Sequence, residues 1–87
     1  TDKTVAILAP NLMGNLCDWP KIRAIADKHN LIVIEDSADT LGATINGKSS
    51  GFYSDMSITS FYGSHIINCA GNGGALAIND DKVIAKI

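Results

Sequence analysis

Two acidic residues, Glu35 and Asp36, close an apolar run, and a histidine, His65, follows a second apolar run across a short glycine-containing turn. In open α/β sheets ligands bind outside the carboxyl ends of the strands, so a carboxylate and an imidazole at two such ends face one small molecule. Asp36 is the stronger carboxylate candidate, because a charge at a buried strand end is costly unless it meets a cation or strong donors. Capping of the next turn or a salt bridge is the commoner role of such a pair. Ser60, just upstream of His65, offers a hydroxyl to a phosphate, with backbone N–H groups of the turn beside it. A serine bonded to its neighbouring backbone is the plainer alternative. An imidazole can take or give a proton near neutral pH, although a loop histidine is more often structural or solvated. Gly71, Gly73 and Gly74 allow positive φ and close backbone approach, which suits a loop passing a ligand and equally a plain tight turn.

The elements that must hold these groups follow from the apolar pattern. Val5 to Ala9 reads as a short buried strand ended by Pro10-Asn11 and the Met13-Gly14-Asn15 turn. Asp18 offers a helix N-cap and Pro20 fits the first helical turn. Trp19, Ile22, Ile25 and Ala26 recur at helical spacing, with Lys21, Arg23, Asp27 and Lys28 on the wet side. Leu31 to Ile34 is a continuous β-rich run, giving a strand, helix, strand unit with a parallel crossover. Ser37 to Gly42 reads as a turn, Asn46-Gly47 as a hairpin signal after Thr44-Ile45, and Tyr53 to Asp55 as weak local β signal. Strands over Ser57 to Tyr62 and Ala75 to Ile78 flank the His65 loop, and Asp80 or Asp81 caps a last helix.

With 87 residues the chain makes at most one domain and buries little of its surface when alone. Its apolar share of 46% with only 6% aromatics suits buried parallel strands. Seven basic and nine acidic residues, with no basic cluster, argue against a nucleic-acid partner. No apolar run approaches the roughly 20 residues that span a bilayer, and Thr1-Asp2-Lys3-Thr4 is no secretion signal, so the expectation is no membrane partner and a cytoplasmic location. Cys17 and Cys69 lack metal-ligand spacing and read as reduced thiols, with no metal site.

The ordered segments Pro10 to Asn15, Lys28-His29-Asn30-Leu31, Glu35 to Ala43, Gly47-Lys48, Gly51, Ser60-Phe61-Tyr62 and Gly73-Gly74-Ala75 resemble the DegT-type (DegT/StrS) sugar aminotransferases, which are fold-type I pyridoxal phosphate enzymes. The resemblance runs over nearly the whole chain. It implies an α/β fold, with residues 1–87 forming a fragment of the pyridoxal phosphate-binding large domain of the aspartate aminotransferase-like fold, a mostly parallel sheet with helices. The upstream phosphate-binding segment and small C-terminal domain of that family are absent from these residues. A last helix cut after Asp80-Asp81 agrees with a fragment, expected to be inactive alone because such enzymes build each site across a homodimer.

By position in the motif, the resemblance implies that Asp36 pairs with the cofactor's pyridine nitrogen and that Ser60 binds its phosphate. Asp39 would lie near the ring hydroxyl, where many members have glutamine. His65 stands where most members have the lysine that holds pyridoxal phosphate covalently. That exchange resembles the sugar-nucleotide 3-dehydratase branch. The implied cofactor is then pyridoxamine 5'-phosphate, and the implied reaction is loss of the C3 hydroxyl from a nucleotide-linked 4-keto-6-deoxyhexose in deoxysugar or lipopolysaccharide biosynthesis. His65 would be base and then acid. Some branch members couple to a reductase through an iron–sulfur cluster; Ser37-Ala38 stands where those have a cluster cysteine, which argues against one. The alternatives are a pyridoxal phosphate-dependent sugar aminotransferase of the same family and a catalytically inactive relative. A dinucleotide-binding domain is disfavoured, because Asn11 to Asn15 does not supply its glycine fingerprint.

Overall fold

A computed structural model describes all 87 residues. Strand β1 (Ala6–Pro10) leads through a turn into helix α1 (Trp19–His29), which returns the chain to β2 (Ile32–Asp36). A small hairpin of β3 (Thr44–Ile45) and β4 (Lys48–Ser49) follows, then a 3-10 turn over Ser50–Tyr53. Strands β5 (Met56–Ser60) and β6 (Gly74–Ile78) and the short helix α2 (Asp81–Ile84) complete the chain. The main sheet has the order β1-β2-β5-β6, with β1, β2 and β5 parallel and β6 antiparallel. A mostly parallel α/β arrangement is therefore what the chain forms, and the boundaries of the four strands of the main sheet fall within two residues of their sequence expectations.

Local chemistry explains the element ends. Asp18 accepts from the Lys21 backbone N–H at 3.3 Å, Pro20 occupies the first turn, and Asn30 closes α1 in the left-handed conformation at φ 54°. Asn46 and Gly47 both take positive φ, 53° and 75°, as a two-residue hairpin requires. Asp80 caps α2 by accepting from Lys82 N–H at 2.8 Å. Tyr53 lies in the 3-10 turn rather than in a strand, because Ser54 folds back with its N–H on the Gly51 carbonyl at 3.2 Å.

The strand alternation divides the sheet into two unlike faces. Ile7, Val33 and Ser57 lie on the face that α1 covers, where Trp19, Ala26 and Val33 are completely buried. Leu8, Ile34, Ile58 and Leu76 lie on the other, with Leu8 and Leu76 exposed. Two helix positions depart from expectation. Ile25 is 53% exposed and stands outside the contact with the sheet. Arg23, expected to be solvated, turns inward to Asp55 at 3.0 Å and to the Leu31 carbonyl at 3.3 Å. Partial burial works against its charge, but the bond and charge of Asp55, with the nearby charge of Asp27, outweigh it and hold the guanidinium above its usual value.

No helix is long and apolar enough to cross a membrane.

Candidate functional site

Parallel pairing aligns the carboxyl ends of β1, β2 and β5, with Pro10 opposite Asp36 and Asp36 opposite Ile58. The chain must reverse beyond each end, and the three reversals enclose a cavity of about 410 Å3. Its lining includes Asp36, Asp39, Ser60 and His65, so all four residues singled out from the sequence meet in one place. The volume is within the usual range of small-molecule pockets, roughly 300–1,000 Å3.

Each side chain is held by a local bond that leaves part of it available. Asp36 Oδ1 accepts from the Ala38 N–H at 3.1 Å, the turn-capping role considered above, while its second oxygen has no protein hydrogen bond. Ser60 Oγ accepts from the Tyr62 N–H at 3.2 Å, the plainer alternative, and keeps its O–H as a donor. His65 comes in from the loop after β5, fixed by its backbone N–H on the Tyr62 carbonyl at 2.9 Å. Asp39 comes in from the turn after β2, with Oδ1 3.6 Å from His65 Nδ1. Cavity residues Asp36, Asp39 and His65 are partly shielded from water without being buried.

The loop from Phe61 to Gly73 closes on itself through Phe61 N–H to the Gly73 carbonyl at 2.8 Å and Cys69 N–H to the Phe61 carbonyl at 3.3 Å. Of the loop residues, Ala70 adopts left-handed φ at 60°, whereas Gly71, Gly73 and Gly74 do not. Gly73 and Gly74 are crowded instead: a Cβ would lie 2.6 Å from Cys69 Sγ at Gly73 and 3.0 Å from the Thr59 carbonyl oxygen of the neighbouring strand at Gly74. Cys69 is exposed, and no three His, Cys, Asp or Glu side chains converge to hold a metal ion.

A second polar arrangement escaped the sequence. Glu35, next to Asp36 but on the α1 face, is completely buried, and its Oε1 accepts from Asn11 Nδ2 at 2.7 Å. Asn11 Oδ1 in turn accepts from Trp19 Nε1 at 2.9 Å and from the Cys17 N–H at 3.1 Å. This network ties the turn after β1 to α1 and so fixes one wall of the cavity. The signal available was the acidic pair itself: two carboxylates in succession on a strand must face opposite ways. Glu35 Oε2 is buried without a partner, as is Thr40 Oγ1. A cavity of about 530 Å3 on that face is larger than the first, but its lining of serines, glycines, Thr40, Phe52 and Asn79 carries no titratable side chain. Of these two cavities, only the smaller is lined by titratable side chains.

Comparison with known proteins agrees with the fold. The profile of the DegT/DnrJ/EryC1/StrS aminotransferase family matches residues 1–87. The chain is 45% identical to GDP-perosamine synthase of Caulobacter vibrioides, over all of this chain and 23% of that protein. It is 41% identical to the UDP-2-acetamido-2-deoxy-3-oxo-D-glucuronate aminotransferase of Pseudomonas aeruginosa, over all of this chain and 24% of that one. Among solved structures, an aminotransferase from Psychrobacter cryohalolentis superposes with a TM-score of 0.90 at 43% identity, covering 95% of this chain and 21% of its own. NtdA from Bacillus subtilis with bound cofactor PMP gives 0.85 at 32% identity, covering 95% and 18%. The chain thus spans about a quarter of the length of the curated relatives it matches.

Proposed function

The chain belongs to the DegT/DnrJ/EryC1/StrS aminotransferase family, and from that premise we propose that its full-length protein uses a vitamin B6 phosphate to act at the keto carbon of a nucleotide-linked sugar. The observation that carries this is the single cavity that gathers Asp36, Asp39, Ser60 and His65 at the strand ends. The donor set fits pyridoxal or pyridoxamine 5'-phosphate. Asp36 has an oxygen free for a protonated ring nitrogen, and Ser60 has an O–H free for a phosphate oxygen. When bound, the cofactor supplies an electron-withdrawing ring and, in its aminated form, the amine that meets a ketone. Asp36 keeps the ring nitrogen charged, Ser60 anchors the phosphate, and His65 takes up and returns a proton through its imidazole.

Amino transfer is the reaction class that the relatives' own descriptions support, and they favour it over dehydration. One specific observation favours the 3-dehydratase reading: His65 lines the cavity and no lysine does, and by the family resemblance His65 stands where most members have their lysine. A histidine cannot hold pyridoxal phosphate covalently as a lysine amine does. Under both readings the full-length protein is a homodimer, with a reductase as a further partner in the dehydratase case.

The test mixes full-length protein with pyridoxamine phosphate and, separately, pyridoxal phosphate, and follows absorbance before and after borohydride alongside product analysis with a 4-keto-6-deoxyhexose nucleotide. Amino-sugar product and a borohydride-trapped lysine adduct support amino transfer. Reversible pyridoxamine phosphate binding, no trapped adduct and a 3-deoxy product support dehydration. Failure to bind either form would leave an inactive relative and overturn the enzyme reading.

A further inference from the structure

Asp39 bridges two loops that the sheet brings to one place. Its Oδ2 accepts from the Met13 backbone N–H at 2.9 Å, and its Oδ1 faces His65 Nδ1 at 3.6 Å. Met13 holds φ 54°, in the left-handed region that a residue with a side chain occupies only at a cost. The bond to Asp39 holds that turn in place, and the carboxylate is anchored through one oxygen while it presents the other to one ring nitrogen. The Tyr62 ring stands edge-on to the imidazole at 6.3 Å between centroids, on the solvent side of the loop. Asp36 is the other charged residue lining the cavity, and neither lysine nor arginine lines it.

We propose that Asp39 is the positioning residue of His65: it keeps the proton on Nδ1 and leaves Nε2 as the proton-accepting atom toward the cavity. A neutral imidazole has two tautomers, and a carboxylate accepts from an N–H but repels a ring lone pair, so the nitrogen facing Asp39 carries the hydrogen. At 3.6 Å the pair is longer than a hydrogen bond, a common state of catalytic pairs before ligand closes the site. The role differs from the ring-hydroxyl contact that the family resemblance implies for Asp39. It rests on the reading of His65 as the proton-transfer group.

The test is nitrogen NMR of full-length, cofactor-free protein carrying 15N-histidine, at a pH where His65 is neutral. Wild type is expected to show Nδ1–H and an unprotonated Nε2. In Asp39→Asn the amide oxygen keeps the Met13 N–H bond while the amide N–H faces the ring, which moves the hydrogen to Nε2. With pyridoxamine phosphate and substrate, the same variant is expected to lose about 10²- to 10⁴-fold in kcat with KM within about twofold, the pattern of a wrong tautomer in a carboxylate–histidine pair. Wild type carrying the hydrogen on Nε2, or Asp39→Asn with the tautomer unchanged, would overturn the proposal whatever happens to turnover. A tautomer that moves in a protein with no wild-type turnover supports the pair and removes the reaction reading instead.

Discussion

The two faces of the sheet treat the same chemical group in opposite ways. On the α1 face, Glu35 is buried, bonded at 2.7 Å to Asn11 and linked through it to Trp19. At the strand ends on the other side, Asp36 and Asp39 are only partly shielded, and each is tied by one backbone N–H. Adjacent residues of one strand thus meet unlike surroundings, one sealed in the core and one at a cavity, because β alternation sends them to different faces. Glu35 also keeps one unpartnered oxygen, Oε2, but that oxygen is sealed inside the fold, whereas Asp36, with an oxygen to spare, lines a cavity that a ligand can enter.

Substitutions that separate the two faces test this division. The largest effect is expected from His65→Ala in the full-length protein: about a 10²- to 10⁴-fold fall in turnover, with the thermal midpoint unchanged because the side chain is partly exposed and packs no core. Turnover assays beside thermal melts check it. Asp36→Ala is expected to weaken pyridoxamine phosphate binding by at least roughly tenfold, the loss of one charge-assisted bond of about 1.5–3 kcal/mol. Equilibrium dialysis measures that loss, and an unchanged affinity would move the ring nitrogen away from Asp36. Glu35→Ala is expected to do the reverse, destabilising the fold by about 2 kcal/mol through the stranded Asn11 amide, with the cofactor site intact in whatever protein remains folded; urea unfolding reads it. Trp19→Phe removes the indole N–H and also shrinks a completely buried ring, so the lost hydrogen bond and the cavity together should cost about 2 kcal/mol in the same experiment.

The smallest effect belongs to the exposed start of α1. The hydrogen bond and charge of Lys21 hold the Asp18 carboxyl below its usual range, and Asp18 correspondingly raises Lys21. Asp18 binds its proton more weakly when folded, so its contribution is present above its unfolded value and is lost as the pH falls through the folded one. Thermal midpoints of wild type and Asp18→Asn should therefore converge on acidification below about pH 4. A gap that is constant down to pH 2 would show that the cap acts without its charge.

Much of this was legible because its causes are local. Asp18 and Pro20 announce α1, Asn46-Gly47 announces a hairpin, and the apolar runs before Asp36 and Ser60 announce strands whose ends align once they pair in parallel. Asp36, Ser60 and His65 follow from those strand ends and the loop beyond, whereas Asp39 was legible only through the family resemblance. Long-range polar choices were not legible. Nothing near Arg23 in the chain signals Asp55, 32 positions on, and nothing near Glu35 signals Asn11, 24 positions back. Ile25 follows the helical period but falls beyond the edge of the sheet contact, which periodicity alone does not reveal.

The central claim is that the strand-end cavity, and not the larger one beneath Phe52, receives the B6 phosphate. A crystal structure of the full-length protein with pyridoxamine phosphate tests it most directly. The ring nitrogen should lie within hydrogen-bond distance of Asp36, the phosphate against Ser60, and the His65 imidazole beside the cofactor amine. A cofactor seated among Ser50, Phe52 and Asn79, or one that leaves Asp36 untouched, would contradict the account.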